Sequence, residues 1–138
     1  MRALQIRNQS GFSLIELLVV LVILGMIFGL VVPNIMSRGE DANVRAASAE
    51  IQRLSMAVDE YYLDNGRAPS SLRELVEEPG NARNWNGPYV NESNLTDPWD
   101  NEYNYRFPGE HRDFDIWSYG ADGSAGGEGR NAEIRSWE

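Results

Sequence analysis

The polarity pattern begins with a long apolar stretch near the N-terminus. From Phe12 to Val32 the chain is apolar except at Ser13 and Glu16. An apolar run of about 20 residues is long enough to cross the hydrocarbon core of a bilayer as an α-helix. A surface helix of a soluble domain keeps a polar face, and this run has none. The pattern therefore predicts a membrane-spanning helix.

After this stretch the pattern becomes amphipathic. Pro33 has no backbone N–H, so we expect a kink or local melting of the helix beside it. Apolar side chains then recur every three or four residues, which is the helical period: Val44, Ala47, Ile51, Leu54, Val58 and Tyr61. This spacing predicts an amphipathic helix of about 25 residues. We expect it to end at Asn65-Gly66, because glycine adopts the left-handed conformation that closes many helices.

The rest of the chain contains only short elements. Ser71, with Glu74 three residues later, predicts a capping box that opens a short second helix. Three strand-like pieces separated by turn residues follow: Tyr89-Val90, Tyr103 to Tyr105 and Phe114 to Ser118. We therefore predict an α+β fold, in which a long N-terminal helix, half membrane-spanning and half amphipathic, packs on a small antiparallel β-sheet.

Composition narrows the class of protein. The chain has 138 residues and a net charge of −9, with 12 basic and 21 acidic residues. Without the apolar stretch, roughly a hundred residues remain, which is enough for one domain. The acidic balance argues against nucleic acid as a partner. Because the chain contains no cysteine, a disulfide is excluded, and a bound metal ion is one other way to stabilise a small domain.

A short polar leader, MRALQIRNQSG, precedes the apolar stretch and carries Arg2 and Arg7. By the positive-inside rule these arginines place the N-terminus in the cytoplasm and the C-terminal domain outside it. A secretory signal has a small-residue cleavage site after its apolar region, and Val32-Pro33-Asn34 does not match one. If the leader is cut, we expect the cut before the apolar helix, which then stays on the mature protein.

Residues 11–20 read GFSLIELLVV, with a glycine, an aromatic residue, a glutamate four residues beyond it and an unbroken apolar helix. This motif resembles the N-terminal signal of type IV pilins and type II secretion pseudopilins. The resemblance implies that a prepilin peptidase cuts after Gly11 and methylates the new amine of Phe12. It also assigns the family's characteristic glutamate to Glu16. The alternative is a generic signal anchor with a chance glutamate.

Glu16 is an ionisable residue inside the apolar stretch, where charge is costly and usually functional. After cleavage, the ammonium group of Phe12 is its natural counter-ion, on the same chain or on a neighbouring subunit. An intersubunit pair would fix the axial register of an assembly. The alternative is that Glu16 only extends to the membrane interface. Gly25 and Gly29 form a G-x-x-x-G pair that brings helices close, although a chance spacing explains it equally well.

Four further stretches resemble the major pseudopilins of type II secretion: LDNGRAP at 63–69, TDPWDNEYNY at 96–105, FPGEH at 107–111 and the tail at 115–137. This resemblance implies a prepilin leader at 1–11, a transmembrane and filament-core helix at 12–33 and a periplasmic domain at 34–138. It implies a single-pass inner-membrane subunit that polymerises with copies of itself into a periplasmic filament. The partners it implies are minor pseudopilins, an inner-membrane assembly platform and the prepilin peptidase.

The same resemblance implies that Ca²⁺ binds in the C-terminal loop. The implied ligands are the side chains of Asp122 and Glu133 and the backbone oxygens of Tyr119 and Ser124, and weaker candidates are Glu128 and Asn131. This chain has Glu133 where the family usually has aspartate.

The residues themselves support a calcium site only in part. Asp122 and Glu133 take the first and twelfth places of a twelve-residue loop, with Gly127 sixth, as in an EF-hand. The third and fifth places are Ser124 and Gly126, where an EF-hand has acidic ligands, so the loop is not an EF-hand. The alternative is a flexible glycine-rich loop with solvated acids.

Other chemistry is sparse, and we expect a structural protein rather than an enzyme. His111 is the single histidine, so one chain cannot form a histidine metal cluster. Asp113 and Asp115 fit an exposed strand face at least as well as acid–base catalysis. The tryptophans are predicted to lie in the core or at interfaces: Trp85, Trp99, Trp117 and Trp137.

Two alternatives to a major pseudopilin remain. One is a type IV pilin of a surface fibre, which commonly has a C-terminal disulfide, and the other is a membrane-anchored periplasmic enzyme or binding protein.

Overall fold

The computed structural model describes residues 10–138, with backbone alone at 31–37. Of the predicted leader, only Ser10 and Gly11 lie inside this range, and Arg2 and Arg7 lie outside it. The chain divides into two compact units, one ending at Arg38 and one spanning Gly39–Glu138. Each unit is described separately below.

The first element is α1, an α-helix at Leu14–Asn65. The backbone is helical through Pro33, so the local melting predicted there is not seen. In the first unit, every large apolar side chain from Phe12 to Leu30 is exposed, by between 43% at Leu24 and 87% at Phe12.

Across the part of the chain that the structure describes, no helix has both the length and the apolar character needed to cross a membrane.

In the second unit, α1 packs one face on the domain core. The predicted apolar positions are buried there, with exposed fractions of 0–1%: Ala47, Ile51, Leu54, Val58 and Tyr61. Val44 packs at the edge of this core. The helix ends at Asn65, and Gly66 follows with a φ of +70° and donates its N–H to the carbonyl of Tyr62 at 2.8 Å. The predicted core face and helix end are therefore confirmed.

The segment after α1 differs from its prediction. Leu72–Leu75 forms a 3₁₀ turn, not an α-helix, and Ser71 makes no side-chain cap. The Glu74 carboxylate instead accepts the hydroxyl of Tyr61 at 2.6 Å and lies 3.3 Å from Arg67. Burial, and then the bond to Glu74, raises the pKa of Tyr61 to about 12, so its hydroxyl stays a donor. The capping box predicted here is wrong because tertiary partners take its carboxylate.

Three short strands form an antiparallel sheet in the order β1-β2-β3. They are β1 at Asn104–Arg106, β2 at Asp115–Ser118 and β3 at Ile134–Arg135. Tyr105 pairs with Ile116 across β1 and β2, and Ser118 pairs with Ile134 across β2 and β3. Two further 3₁₀ turns lie at Glu92–Leu95 and Gly129–Asn131. The α+β architecture of a long helix on a small antiparallel sheet is confirmed.

One predicted strand is wrong and one observed strand was not predicted. Tyr89 and Val90 lie in a bend without strand pairing, where Tyr89 donates its N–H to the carbonyl of Leu75 at 2.8 Å. Val90 is buried in the core, so its apolar character reflects packing. The unpredicted strand, β3, is too short to give a periodic signal.

Candidate functional site

The loop between β2 and β3, residues 119–133, contains most of the left-handed residues of the described chain. Gly120, Gly123, Gly126, Gly127 and Gly129 have φ values between +61° and +108°. L-amino acids with a Cβ rarely adopt this conformation. The glycines are therefore required by the repeated reversals of the loop backbone.

Backbone oxygens converge where the two ends of this loop meet. Ala121 donates its N–H to the carbonyl of Arg130 at 2.9 Å. A Cβ added at Gly120 would lie 2.7 Å from the carbonyl oxygen of Ala132 and 2.8 Å from that of Arg130. Only glycine fits here, and the loop base contains a group of carbonyl oxygens.

The structure places two of the predicted calcium ligands together. Asp122 Oδ1 accepts the N–H of Ser124 at 3.1 Å, and the Ser124 hydroxyl lies 3.5 Å from the Asp122 carbonyl oxygen. Both residues are exposed, while Tyr119 at the loop start is half-buried. The Asp122 carboxylate therefore points out of the core and retains a second oxygen for a cation.

Asn131 carries an orphaned oxygen. Its Oδ1 is buried and has no hydrogen-bond partner among the described residues, while its N–H donates to the carbonyl of Glu128 at 3.2 Å. The side chain of Glu128 is exposed. A buried acceptor without a donor costs about 1–3 kcal/mol, and a bound cation would satisfy it. Asn131, a weaker ligand candidate from the sequence, therefore has a side-chain oxygen that is suited to bind calcium.

Glu133 bonds to other groups of the protein in this structure, and its role as a calcium ligand stays a prediction. Its Oε1 accepts the N–H of Gly126 at 2.9 Å, and its Oε2 lies 2.8 Å from Arg135. The hydrogen bond from Gly126, and then that from Arg135, lowers the pKa of Glu133, so its carboxylate is ionised. Both oxygens already have partners, and Glu133 ties the middle of the loop to β3.

Within residues 10–138, no three His, Cys, Asp or Glu side chains are grouped as a metal ion would require. A cation in this loop would therefore be held chiefly by backbone carbonyls, the Asn131 amide oxygen and the Asp122 carboxylate. Calcium accepts such a mixture of oxygen ligands. The residues present fit calcium, and the metal site itself stays a prediction.

Asp115 contradicts its sequence interpretation as a residue of an exposed strand face. It is 1% exposed, and its carboxylate accepts the N–H groups of Glu110, His111 and Arg112 at 2.8–3.3 Å. Burial alone would raise the pKa of Asp115, but these bonds and that of the His111 ring lower it. The His111 ring also stacks on Trp137 with centroids 4.1 Å apart. Asp115 thus holds the loop before β2 in place, while Asp113 is exposed.

The N-terminal motif forms a capping box at the start of α1. Ser13 donates its N–H to Glu16 Oε2 at 3.0 Å, and Glu16 donates its N–H to Ser13 Oγ at 3.3 Å. A serine followed three residues later by a glutamate is the sequence signature of such a box, although the hydrophobicity of this stretch dominates its pattern. Gly11 and Phe12 precede the helix in exposed, non-helical backbone. The predicted cleavage point is therefore accessible.

Two family models match the chain. The one described as "Type II secretion system (T2SS), protein G" matches residues 34–137. The one described as "Prokaryotic N-terminal methylation motif" matches residues 6–32. Together they cover nearly the whole sequence.

Individual proteins are similar over almost their full length. "Type II secretion system core protein G" of Pseudomonas aeruginosa is 45% identical over 98% of this chain and 99% of its own. The protein of the same name from Vibrio cholerae is 41% identical over 96% of this chain and 94% of its own. A crystal structure of the major pseudopilin from the type 2 secretion system of enterohaemorrhagic Escherichia coli has a TM-score of 0.61 and 32% identity, and covers 76% of this chain and 95% of that one.

Proposed function

The chain belongs to the family of type II secretion system protein G, the major pseudopilins, and we propose that its subunits stack through α1 into a periplasmic filament. Its function is that of a structural subunit of the secretion system. The observation that carries the stacking is the exposure of every large apolar side chain from Phe12 to Leu30. An apolar surface of this extent has to be covered by lipid or by other helices.

Lipid covers this apolar surface before the subunit assembles, and other helices cover it afterwards. Before assembly, residues 12–33 anchor it in the inner membrane as a single pass, and the domain at 34–138 lies in the periplasm. In the filament, neighbouring copies of α1 replace the lipid. Minor pseudopilins, the assembly platform and the prepilin peptidase are the expected partners, and the peptidase is supported by the match to the methylation motif. The chain itself acts as a structural subunit and a substrate of that peptidase, not as an enzyme.

Glu16 connects processing with assembly. In the uncut chain its carboxylate is satisfied by the N–H of Ser13, where the positive end of the helix dipole also favours a negative charge. Cleavage after Gly11 places the ammonium group of Phe12 one residue before that N–H. The carboxylate then has a cation to pair with, on its own chain or on the next subunit. An ion pair at this depth is only weakly screened by water.

Replacing Glu16 by glutamine separates its role in the capping box from its role in the ion pair. We expect Glu16→Gln to keep the capping box, because glutamine makes the same reciprocal hydrogen bonds, and to lose the ion pair. The variant should be cut and methylated like the parent, but should yield few or no filaments. The measurements are the mass of the mature subunit and the amount of assembled filament per cell, recovered after the outer membrane has been opened.

Ser13→Ala is the matched control, since it removes the hydroxyl half of the box and keeps the charge. We expect it to assemble far better than Glu16→Gln. Normal filament yield from the Glu16→Gln variant would refute the role of the charge.

We further propose that the 119–133 loop binds Ca²⁺ through the carboxylate of Asp122, the amide oxygen of Asn131 and loop carbonyls. The support is the orphaned Oδ1 of Asn131, a residue whose backbone lies at the carbonyl-lined loop base. When bound, calcium would join the two ends of the loop and stabilise the domain that each subunit presents on the filament. In this role the calcium ion would stabilise the folded domain and would take part in no catalytic step.

A further inference from the structure

A buried carboxylate–hydroxyl pair lies directly under the start of the 119–133 loop. Asp97 is 4% exposed and Ser118 is fully buried. The Ser118 hydroxyl donates to Asp97 Oδ2 at 2.6 Å, a length typical of a hydroxyl bound to a carboxylate. The Ser118 oxygen in turn accepts the N–H of Gly120 at 3.1 Å. These bonds form a continuous chain from Asp97 to the loop backbone.

The second oxygen of Asp97 organises the neighbouring turn. Asp97 Oδ1 accepts the N–H groups of Trp99 and Asn101 at 3.0 and 2.9 Å, and the N–H of Asp97 donates to the Asn101 carbonyl at 2.7 Å. The Asn101 side chain lies against the loop, since a Cβ added at Gly123 would be 3.2 Å from its Oδ1. One buried carboxylate therefore holds both the turn at 96–101 and the first residues of the loop.

The bond to Gly120 also fixes the direction of a carbonyl. The N–H of Gly120 and the C=O of Tyr119 belong to the same peptide unit, which is planar and trans. The two groups therefore point in opposite directions. Holding the N–H against Ser118 inside the domain directs the Tyr119 carbonyl away from Ser118, and Gly120 itself has a φ of +81° that only glycine adopts readily.

We propose that Asp97 and Ser118 are positioning residues that set the calcium affinity of the loop by orienting the Tyr119 carbonyl. This inference rests on the calcium site proposed above. Neither residue is a ligand, because the side-chain oxygens of both are already bonded to each other and to backbone N–H groups. They orient a ligand, the Tyr119 carbonyl, without contacting the metal themselves. Removing residues that orient a ligand in this way typically costs 10–100-fold in metal affinity.

A plain contribution to core stability is the competing explanation, and it predicts no change in affinity. Tyr61 offers a matched control, because its hydroxyl is also buried and also donates to a carboxylate, Glu74, at 2.6 Å. Tyr61→Phe and Ser118→Ala both delete a hydroxyl bonded to a carboxylate, but the first change is made on α1 and the second at the loop.

The experiment titrates Ca²⁺ alone into the full-length protein, purified in detergent and stripped with EGTA, and measures Kd by calorimetry and the unfolding midpoint without calcium. We expect Ser118→Ala to raise Kd by about 10–100-fold. Tyr61→Phe should lower the calcium-free midpoint and leave Kd unchanged. If Ser118→Ala does not fold, Asp97→Asn, which keeps the shape and removes the charge, should still raise Kd.

The outcomes separate the two proposals. If the parent binds no calcium, the calcium site and this inference both fail. If the parent binds and Ser118→Ala, or Asp97→Asn in its place, binds with the parental Kd, only the positioning role fails. An equal rise in Kd for Tyr61→Phe would also overturn it, because the effect would then follow general destabilisation.

Discussion

Replacing Gly11 by leucine should leave the chain uncut, so that only the precursor accumulates in the membrane. No described atom lies within 4 Å of the position that a Cβ would take at Gly11, and the residue precedes α1 in exposed backbone. The substitution therefore does not disturb the fold. Its effect is expected at the peptidase, whose cleavage site in this motif ends with glycine. Because filaments need the amine of Phe12, loss of cleavage should also abolish assembly.

Mass spectrometry of the purified subunit distinguishes the precursor from the mature, methylated chain. Gly39→Leu is the matched control, since a Cβ at Gly39 also meets no described atom within 4 Å and the residue lies outside the motif. This control should be cut normally. Recovery of Phe12 as the mature N-terminus of the Gly11→Leu variant would contradict the assigned cleavage site.

Calcium should raise the unfolding midpoint of the parent protein, and Asp122→Ala should remove that rise. A ligand that binds only the folded state at a hundred times its Kd stabilises by about 2.7 kcal/mol. For a domain of this size that corresponds to about 10–20 °C in Tm. Asp122 is exposed and bonds only within its own loop, so the variant should unfold like the parent when calcium is absent.

The measurement compares thermal unfolding in millimolar calcium, in millimolar magnesium and in EGTA. Asp113→Ala is the control, because Asp113 is an exposed acid outside the loop, and it should keep the full calcium response. A parent midpoint that is the same in calcium and in EGTA would refute the site. A calcium response that survives in Asp122→Ala would refute the assignment of Asp122 as a ligand.

The parts of the fold that could be predicted are those that residues close together in the sequence specify. The apolar period from Val44 to Tyr61 and the Asn65-Gly66 stop each depend on a few neighbouring residues, and the structure reproduces both. The strands were harder because they are two to four residues long. Periodicity cannot separate such short pieces from buried extended chain, as at Val90.

The candidate site was predicted as a segment, but its contacts were not. The glycine-rich tail located the loop. Ser13 with Glu16 and Ser71 with Glu74 have the same spacing, yet of these two pairs the first forms a capping box and the second does not. At Ser71 the glutamate is drawn to Tyr61 by tertiary packing. The partnership of Asp97 with Ser118 joins residues 21 positions apart, and no local pattern in a single sequence reports it.

The most direct test of the central claim is protein export by the host itself. We predict that deleting the gene leaves the proteins normally released by type II secretion inside the cell. A plasmid copy of the parent should restore their release into the medium, and a copy carrying Gly11→Leu should not. The measurement is the amount of these proteins in the culture supernatant. Unchanged export after deletion, or restoration by the Gly11→Leu copy, would contradict the function as a processed major pseudopilin.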